Sequence, residues 1–184
     1  MRGDILETFA RLKLPTQAQL DGLQRQGVVP MAIIFDSYDS PVAIKRAFVE
    51  WLPNGRFAFE DESVSGVVVD GLIVVARDQT GDADDLVAFD LNGHFASWLG
   101  VPVLGLENAH APRLSDALQV HRTPIDWLAN YRRGVVITDH KKARHYLENA
   151  AGSFVVGSTD EGRALSDAMA YRPKIYVNSE RQAA

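Results

Sequence analysis

The chain has 184 residues, of which 46% are hydrophobic and 23% are charged, a balance typical of a soluble globular protein. It contains no cysteine, which excludes disulfide bonds, thiolate catalysis and cysteine-ligated zinc. The longest apolar runs, such as "GVVVDGLIVVA", are interrupted by Asp70 and are too short to span a bilayer. The first residues carry Asp4 and Glu7 and lack the apolar segment of a signal peptide, so we expect a soluble cytoplasmic protein.

The net charge of −5 is unevenly distributed along the chain. Residues 1–109 contain 8 Lys/Arg and 16 Asp/Glu, whereas residues 110–184 contain 11 and 8. Such asymmetry can indicate an anionic partner for the basic part, although chance also explains a surplus of three charges. A nucleic-acid-binding protein is usually far more basic, so nucleic acid is the lesser alternative to a protein partner or a small anionic ligand. No membrane partner is expected.

The first part of the chain predicts two helices followed by antiparallel strands. The segments "DILETFARL" and "PTQAQLDGLQRQG" place apolar residues at helical spacing, and Gly27 is a typical helix end. The β-rich runs "PVAIKRAFVEWL" and "RFAFED" flank Asn54-Gly55, which is a hairpin signal. The segment "SVSGVVVDGLIVVA" predicts one long strand, or two strands about Asp70-Gly71. The strand "LVAFD" follows the acidic turn "DQTGDADD", and "NGHFASWLG" predicts a turn and then a short strand or helix.

The last third of the chain predicts short strands that alternate with helices. The strands are "ALQVHR", "VVIT", "SFVV" and "KIYV", and the helices are "PIDWLANYRR", "HKKARHYLENA" and "DEGRALSDAMA". We expect Thr123 and Asp139 to cap the first two helices, Ser158 or Thr159 to cap the third, and Gly134 to end the first. This β-α-β-α-β-α-β order favours parallel pairing with right-handed crossovers.

The expected fold class is therefore α+β, with an antiparallel β-rich half, a small parallel unit at the C-terminus and two N-terminal helices. We expect one domain over residues 1–184, with possible sub-lobes at 1–109 and 110–178.

The strand-to-helix turns of the parallel unit form the candidate ligand site. Ligands bind outside the carboxyl ends of parallel strands, where helix N-termini present free N–H groups. Three turns share that edge, at residues 121–123, 138–140 and 157–160. The candidate ligand-binding residues in these turns are Arg122, Asp139, His140, Ser158 and Thr159, with Arg122 as a phosphate clamp. Helix capping alone also explains these residue types.

Basic residues near the second helix start are candidate anion contacts. Lys141 and Lys142 lie where the helix dipole disfavours cations, so phosphate contact is one explanation and a solvated face is the other. The full set of candidate anion contacts is Arg132, Arg133, Lys141 and Lys142.

No metal site and no cofactor are expected. His140 and His145 are five residues apart and do not share a helix face. The run "DQTGDADD" lacks the glycine and glutamate of an EF-hand loop, so we expect a solvated acidic hairpin there. The chain also lacks the phosphate-loop, dinucleotide-binding, nucleophile-elbow and zinc-protease motifs.

The run "VHRTPIDWLANYRRGVVITD", preceded by "DADDLVAFDLNGHFASWLG", resembles small uncharacterised bacterial and prophage-associated proteins with no assigned chemistry. The resemblance covers roughly residues 70–177. It implies a phage or mobile-element setting and brings no catalytic residues. Two hypotheses remain: a non-enzymatic binding or accessory protein, which we favour, and a small phosphate- or nucleotide-binding enzyme with its crevice at the three turns.

Overall fold

The structure is a computed structural model, and it describes residues 2–34, 43–109, 117–148, 150 and 153–170. The helices are α1 (Arg2–Arg11), α2 (Gln17–Arg25), α3 (Pro30–Ile34), α4 (Leu106–Ala109), α5 (Pro124–Ala129), α6 (His140–Leu147) and α7 (Thr159–Met169). The strands are β1 (Lys45–Trp51), β2 (Phe57–Phe59), β3 (Val69–Arg77), β4 (Ala83–Phe89), β5 (Phe95–Ser97), β6 (Val103–Leu104), β7 (Leu118–His121), β8 (Val135–Ile137) and β9 (Phe154–Val156). A 3₁₀ helix covers Glu60–Glu62. The predicted strand "KIYV" lies outside the described residues.

Five strands form an antiparallel sheet in the order β2-β1-β3-β4-β5. The predicted hairpin at Asn54-Gly55 is confirmed, because β1 pairs with β2 on either side of it. The segment around Asp70-Gly71 continues as one strand, which settles the two alternatives that the sequence left open. The prediction of a solvated acidic hairpin is wrong for Asp85, which lies inside β4 and is 1% exposed.

Four strands form a mixed sheet in the order β6-β8-β7-β9. β7 pairs in parallel with both β8 and β9, as the alternating pattern predicted. β6 pairs antiparallel with β8 and was not predicted, because a strand of two residues carries no readable period. Together the antiparallel and mixed sheets confirm the α+β fold class.

The predicted helix caps are confirmed by hydrogen bonds. The Thr123 hydroxyl accepts the Asp126 N–H, and the Asp139 carboxylate accepts the Lys141 N–H at 2.9 Å. Ser158, rather than Thr159, caps α7. Side-chain oxygens at these positions satisfy backbone N–H groups that have no partner within the helix.

The predicted end of α5 is wrong. The sequence predicted a helix that continues up to Gly134, whereas α5 ends at Ala129. Tyr131 and Arg132 adopt φ values of 56° and 60°, which lie in the left-handed region and break the helix. Gly134 has a φ of 84°, and a Cβ there would lie 2.2 Å from the carbonyl oxygen of Gln119. Glycine is therefore required at this position for β8 to approach β7.

The strand β3 divides its side chains between two cores, as the alternation of a strand requires. Ile73 and Val75 pack in a cluster with Ile5 and Phe9 of α1. Leu72 and Val74 pack on the other face in a cluster that also contains side chains of α2, β6, α5 and β8. A third cluster lies between the mixed sheet and the helices α6 and α7. Among the described residues, no helix is both long and apolar enough to cross a membrane.

Candidate functional site

The carboxyl ends of the parallel strands define a switch point in the mixed sheet. β8 and β9 lie on opposite sides of β7, so the connection from β7 leads to one side of the sheet and the connection from β8 crosses back to the other side. Ligand sites in open α/β sheets lie at such points. A crevice of about 110 Å³ is found here, and we call it the switch-point crevice. Its polar lining residues are His121, Arg122, His140 and Glu161, and its apolar ones are Phe95, Val120, Ile137, Val156 and Leu165.

The switch-point crevice contains some of the predicted site residues and not others. Arg122 and His140 line it, whereas the turn after β9 contributes Glu161 in place of Ser158 and Thr159. The Ser158 hydroxyl is engaged as a cap and accepts the Glu161 N–H at 3.2 Å. Because pockets for small molecules usually measure 300–1,000 Å³, a volume of about 110 Å³ accommodates only a few atoms of a ligand.

A larger pocket of about 460 Å³ lies at the N-terminus of α6, and we call it the basic pocket. It is lined by residues 53–56, Ser97, Gly100 and residues 138–142. These come from the β1–β2 hairpin turn, the end of β5 and the loop after it, and the start of α6. The basic pocket therefore lies between the two sheets, and its size suits a small-molecule ligand.

Two cationic groups converge in the basic pocket over Gly100. A Cβ built on Gly100 would lie 3.8 Å from Arg56 Nε and 3.9 Å from Lys142 Nζ. Arg56 Nε donates a hydrogen bond to the Trp98 carbonyl at 2.9 Å, which fixes the guanidinium. Gly100 has a φ of 99°, a conformation that favours glycine and leaves the space below the cations open.

The basic pocket has an excess of positive charge. Asp139 lies 3.3 Å from Lys142 Nζ and is the acidic residue in the lining, against Arg56, Lys141 and Lys142. Both lysines are exposed, so the electrostatic field of the pocket reaches solvent. The first turn of α6 adds the partial positive charge of a helix N-terminus. His140 lines both the basic pocket and the switch-point crevice.

A buried carboxylate holds in place the loop that carries Gly100, a lining residue of the basic pocket. Asp85 accepts the N–H groups of Leu86 and Leu99 through Oδ1, and those of Gly100 and Val101 through Oδ2, at 2.7–2.9 Å. Burial raises the pKa of Asp85, and the four backbone hydrogen bonds oppose that rise. Asp85 thereby ties the loop that carries Gly100 to the antiparallel sheet.

The candidate anion contacts Arg132 and Arg133 are not among the residues that line the basic pocket. They precede β8, whereas Lys141 and Lys142 follow it, so the strand separates the two pairs. Arg132 donates to the Ala32 carbonyl at 2.9 Å, and its guanidinium lies 5.8 Å from the centre of the Trp127 ring. These contacts stabilise the packing of α3 on α5.

Sequence reasoning missed Arg56, Gly100 and Asp85. Arg56 follows the Asn54-Gly55 turn, and nothing in a hairpin signal says which other element the hairpin will contact. Asp85 could have been noticed as a carboxylate inside the strand pattern "ADDLVAF", where an interior position requires hydrogen-bond partners.

No protein-family model matches the chain, and neither a curated protein nor a solved structure matches it. The resemblance to prophage-associated proteins therefore stays a prediction. Within the part of the chain that the structure describes, no group of three or more His, Asp or Glu side chains could hold a metal ion.

Proposed function

We propose that this chain is a non-enzymatic binding protein whose ligand is a small molecule with a phosphate or similar anionic group, bound in the basic pocket. The convergence of Arg56 Nε and Lys142 Nζ over Gly100 carries this proposal. Both cationic groups lie within 4 Å of one position beside Gly100, so an anion near that position would be attracted by two positive charges. The hydrogen bond of Arg56 to Trp98 also reduces the entropy that this side chain would lose on binding.

The arrangement of donors favours phosphate over a monodentate anion. Arg56 comes from the hairpin, Lys142 from α6, and Lys141 from the same helix turn. A phosphate group has several oxygens that can contact donors from separate elements at once. Asp139 is the acidic residue in the described lining of the basic pocket. A phosphate would therefore compete with the Asp139 carboxylate for Lys142, and with no other carboxylate of that lining for Arg56 or Lys141.

The polar groups beside the cations support binding rather than catalysis. The Thr138 hydroxyl donates to the Val101 carbonyl, and the Asp139 carboxylate caps α6. Both groups are therefore engaged in holding the fold. Covalent catalysis would instead require a nucleophile and a base that lie within hydrogen-bond reach of each other.

The proposal is tested by isothermal titration of the purified chain with inorganic phosphate at low ionic strength. We expect saturable binding that falls about tenfold or more in Arg56→Gln and in Lys142→Gln, because each substitution removes a charge-assisted contact. Arg25→Gln is the matched control, since Arg25 is an exposed cation on α2 outside the pocket lining. No saturable binding, or an equal loss in the control, would refute the proposal.

A further inference from the structure

A separate pocket of about 530 Å³ lies on the antiparallel sheet, and we call it the bipolar pocket. Its described lining shares no residue with the basic pocket or with the switch-point crevice. The lining residues come from the end of α1 and the residues after it, β1, the end of β2, the 3₁₀ helix and Trp98. Its volume lies in the range that is typical of sites for small molecules.

The bipolar pocket lies where β2 ends its pairing with β1. Val49 of β1 lies opposite Phe59, the last residue of β2. After Phe59 the chain forms the 3₁₀ helix Glu60–Glu62 instead of continuing along β1. The carboxylates of this helix therefore begin beside the level of Val49.

A second segment takes the place of β2 further along the same edge of β1. Arg46 pairs with Lys13, and the Arg46 N–H donates to the Lys13 carbonyl at 2.8 Å. Arg46 also pairs with Leu72 of β3, so Lys13 lies on the side of β1 that faces β2. Ala47 and Phe48, which lie between the two pairings, line the pocket.

The lining carries opposite charges on different elements. Its cations are Arg11, Lys13 and Arg46, and its carboxylates are those of Glu60–Glu62. The levels of Arg46 and Val49 are three residues apart on β1, which corresponds to about 10 Å at the rise of an antiparallel strand. The backbone of Lys13 and the start of the 3₁₀ helix are therefore separated by roughly that distance along β1.

Some of these charges are engaged within the protein and others are open to a ligand. Arg46 Nε lies 2.6 Å from the Asp70 carboxylate, and Arg11 pairs with Glu7. Within the described residues, the side chains of Lys13 and Asp61 make neither an ion pair nor a hydrogen bond. Both side chains are exposed, so each can contact an oppositely charged group without breaking an existing pair.

Aromatic rings line the bipolar pocket together with the charges. The Trp98 indole N–H donates to the Glu62 carboxylate at 3.1 Å, and its ring packs edge-on against Phe59 with the centroids 5.3 Å apart. These contacts hold Trp98 in place before any ligand binds. Phe48 is 37% exposed. The pocket therefore offers apolar surface to the part of a ligand that carries no charge.

We infer that the bipolar pocket binds a short peptide with free termini, whose carboxylate contacts Lys13, whose ammonium group contacts Asp61 and whose apolar side chain packs on Phe48 and Trp98. Three extended residues span about 10 Å, whereas a free amino acid carries both charges on one carbon. A polyamine would meet the cations of the lining, and a dicarboxylate would meet its carboxylates. The inference goes beyond the proposed function and does not rest on it, because it uses a different pocket.

The experiment titrates the whole chain with the tripeptide Ala-Phe-Ala by isothermal calorimetry at low ionic strength. The N-acetylated tripeptide, the C-amidated tripeptide and free phenylalanine are the comparison ligands. We expect saturable binding of Ala-Phe-Ala, and about fivefold weaker binding of each blocked form, which is the upper end for a solvent-exposed ion pair. Free phenylalanine should bind more weakly than Ala-Phe-Ala.

Two variants separate the ends of the peptide. Lys13→Gln should shrink the penalty of amidation and keep that of acetylation, whereas Asp61→Asn should do the reverse. Arg25→Gln is the control, since this exposed cation lies outside the pocket lining, and it should keep both penalties.

A measurement on the unaltered chain locates the peptide independently of the variants. The Trp98 indole N–H signal should shift on saturation with Ala-Phe-Ala, and that of Trp127, which donates to the Gly134 carbonyl in the core, should stay in place. No saturable binding, equal affinities of the free and blocked forms, or an unmoved Trp98 signal would each overturn the inference. Equal affinity for phenylalanine would overturn the assignment to a peptide.

Discussion

Glu50 is a buried carboxylate that organises the loop after the 3₁₀ helix. Its Oε2 accepts the Ser63 hydroxyl and the Val64 N–H, both at 2.7 Å. The hydroxyls of Ser65 and Ser63 and the backbone N–H groups of Val64 and Ser65 favour the charged form and lower the pKa of Glu50 to about 2. The conformation of this loop therefore depends on Glu50 being ionised.

The stability of the protein should fall in acid because of Glu50. A lowered pKa in the folded state contributes stability above the ordinary value of 4.5, and that contribution is lost as the pH falls toward about 2. We expect the free energy of unfolding, measured in urea between pH 6 and 2.5, to fall more steeply in the unaltered chain than in Glu50→Gln. Asp85 has a raised pKa and the opposite pH dependence, but it is present in both chains. Parallel pH profiles would contradict this role of Glu50.

Asp85→Asn should destabilise the fold although it changes a single atom. The amide nitrogen would face two of the four N–H groups that the carboxylate now accepts, and would leave them without an acceptor. Each buried unsatisfied donor costs about 1–3 kcal/mol, so we expect the two together to cost roughly 2–6 kcal/mol in chemical unfolding. Asp84→Asn is the control on the same strand, and as a half-exposed change it should cost less than about 0.5 kcal/mol. Equal effects of the two substitutions would show that Asp85 does not hold the loop.

At the scale of elements, the stability of α6 depends on the Asp139 cap, and the first turn of α6 lines the basic pocket. Asp139→Ala should reduce the free energy of unfolding by about 1 kcal/mol, because the Lys141 N–H loses its acceptor. The same substitution releases Lys142 from a carboxylate at 3.3 Å, so phosphate affinity should rise rather than fall. Thermal unfolding and phosphate titration of the variant measure the two effects. A loss of affinity as large as that of Lys142→Gln would mean that Asp139 itself contacts the ligand.

The elements that the sequence predicted correctly are those with local causes. Thr123, Asp139 and Ser158 cap their helices through hydrogen bonds to residues two or three positions away. The end of α5 was not predictable in this way, because Arg132 is held in a left-handed conformation near Trp127 and Ala32, which are contacts between elements. The strand β6 is defined only by its partner β8.

The candidate site was predictable in part for the same reason. His140, Lys141 and Lys142 are consecutive in sequence, so any helix that starts at residue 140 brings them to one end. Arg56 and Gly100 reach the same place only because the hairpin and the loop after β5 lie against the mixed sheet. No periodicity or motif in the sequence records that contact between distant segments.

At the scale of the whole molecule, one hydrophobic cluster joins the two sheets. It contains Leu23 of α2, Val74 of β3, Leu104 of β6 and Trp127 of α5. We therefore expect one cooperative unfolding transition, in which far-UV circular dichroism and tryptophan fluorescence coincide. Two separated transitions would instead indicate independent sub-lobes at 1–109 and 110–178.

The most direct test of the basic pocket is a ¹H–¹⁵N correlation titration of the labelled chain with inorganic phosphate at low salt. We expect saturable shifts at the Gly100, Lys141 and Lys142 amides and at Arg56 Nε, because these groups surround the proposed anion position. The Arg25 signals should stay in place. Shifts that never saturate, or that are as large at Arg25 as in the basic pocket, would contradict a built phosphate site.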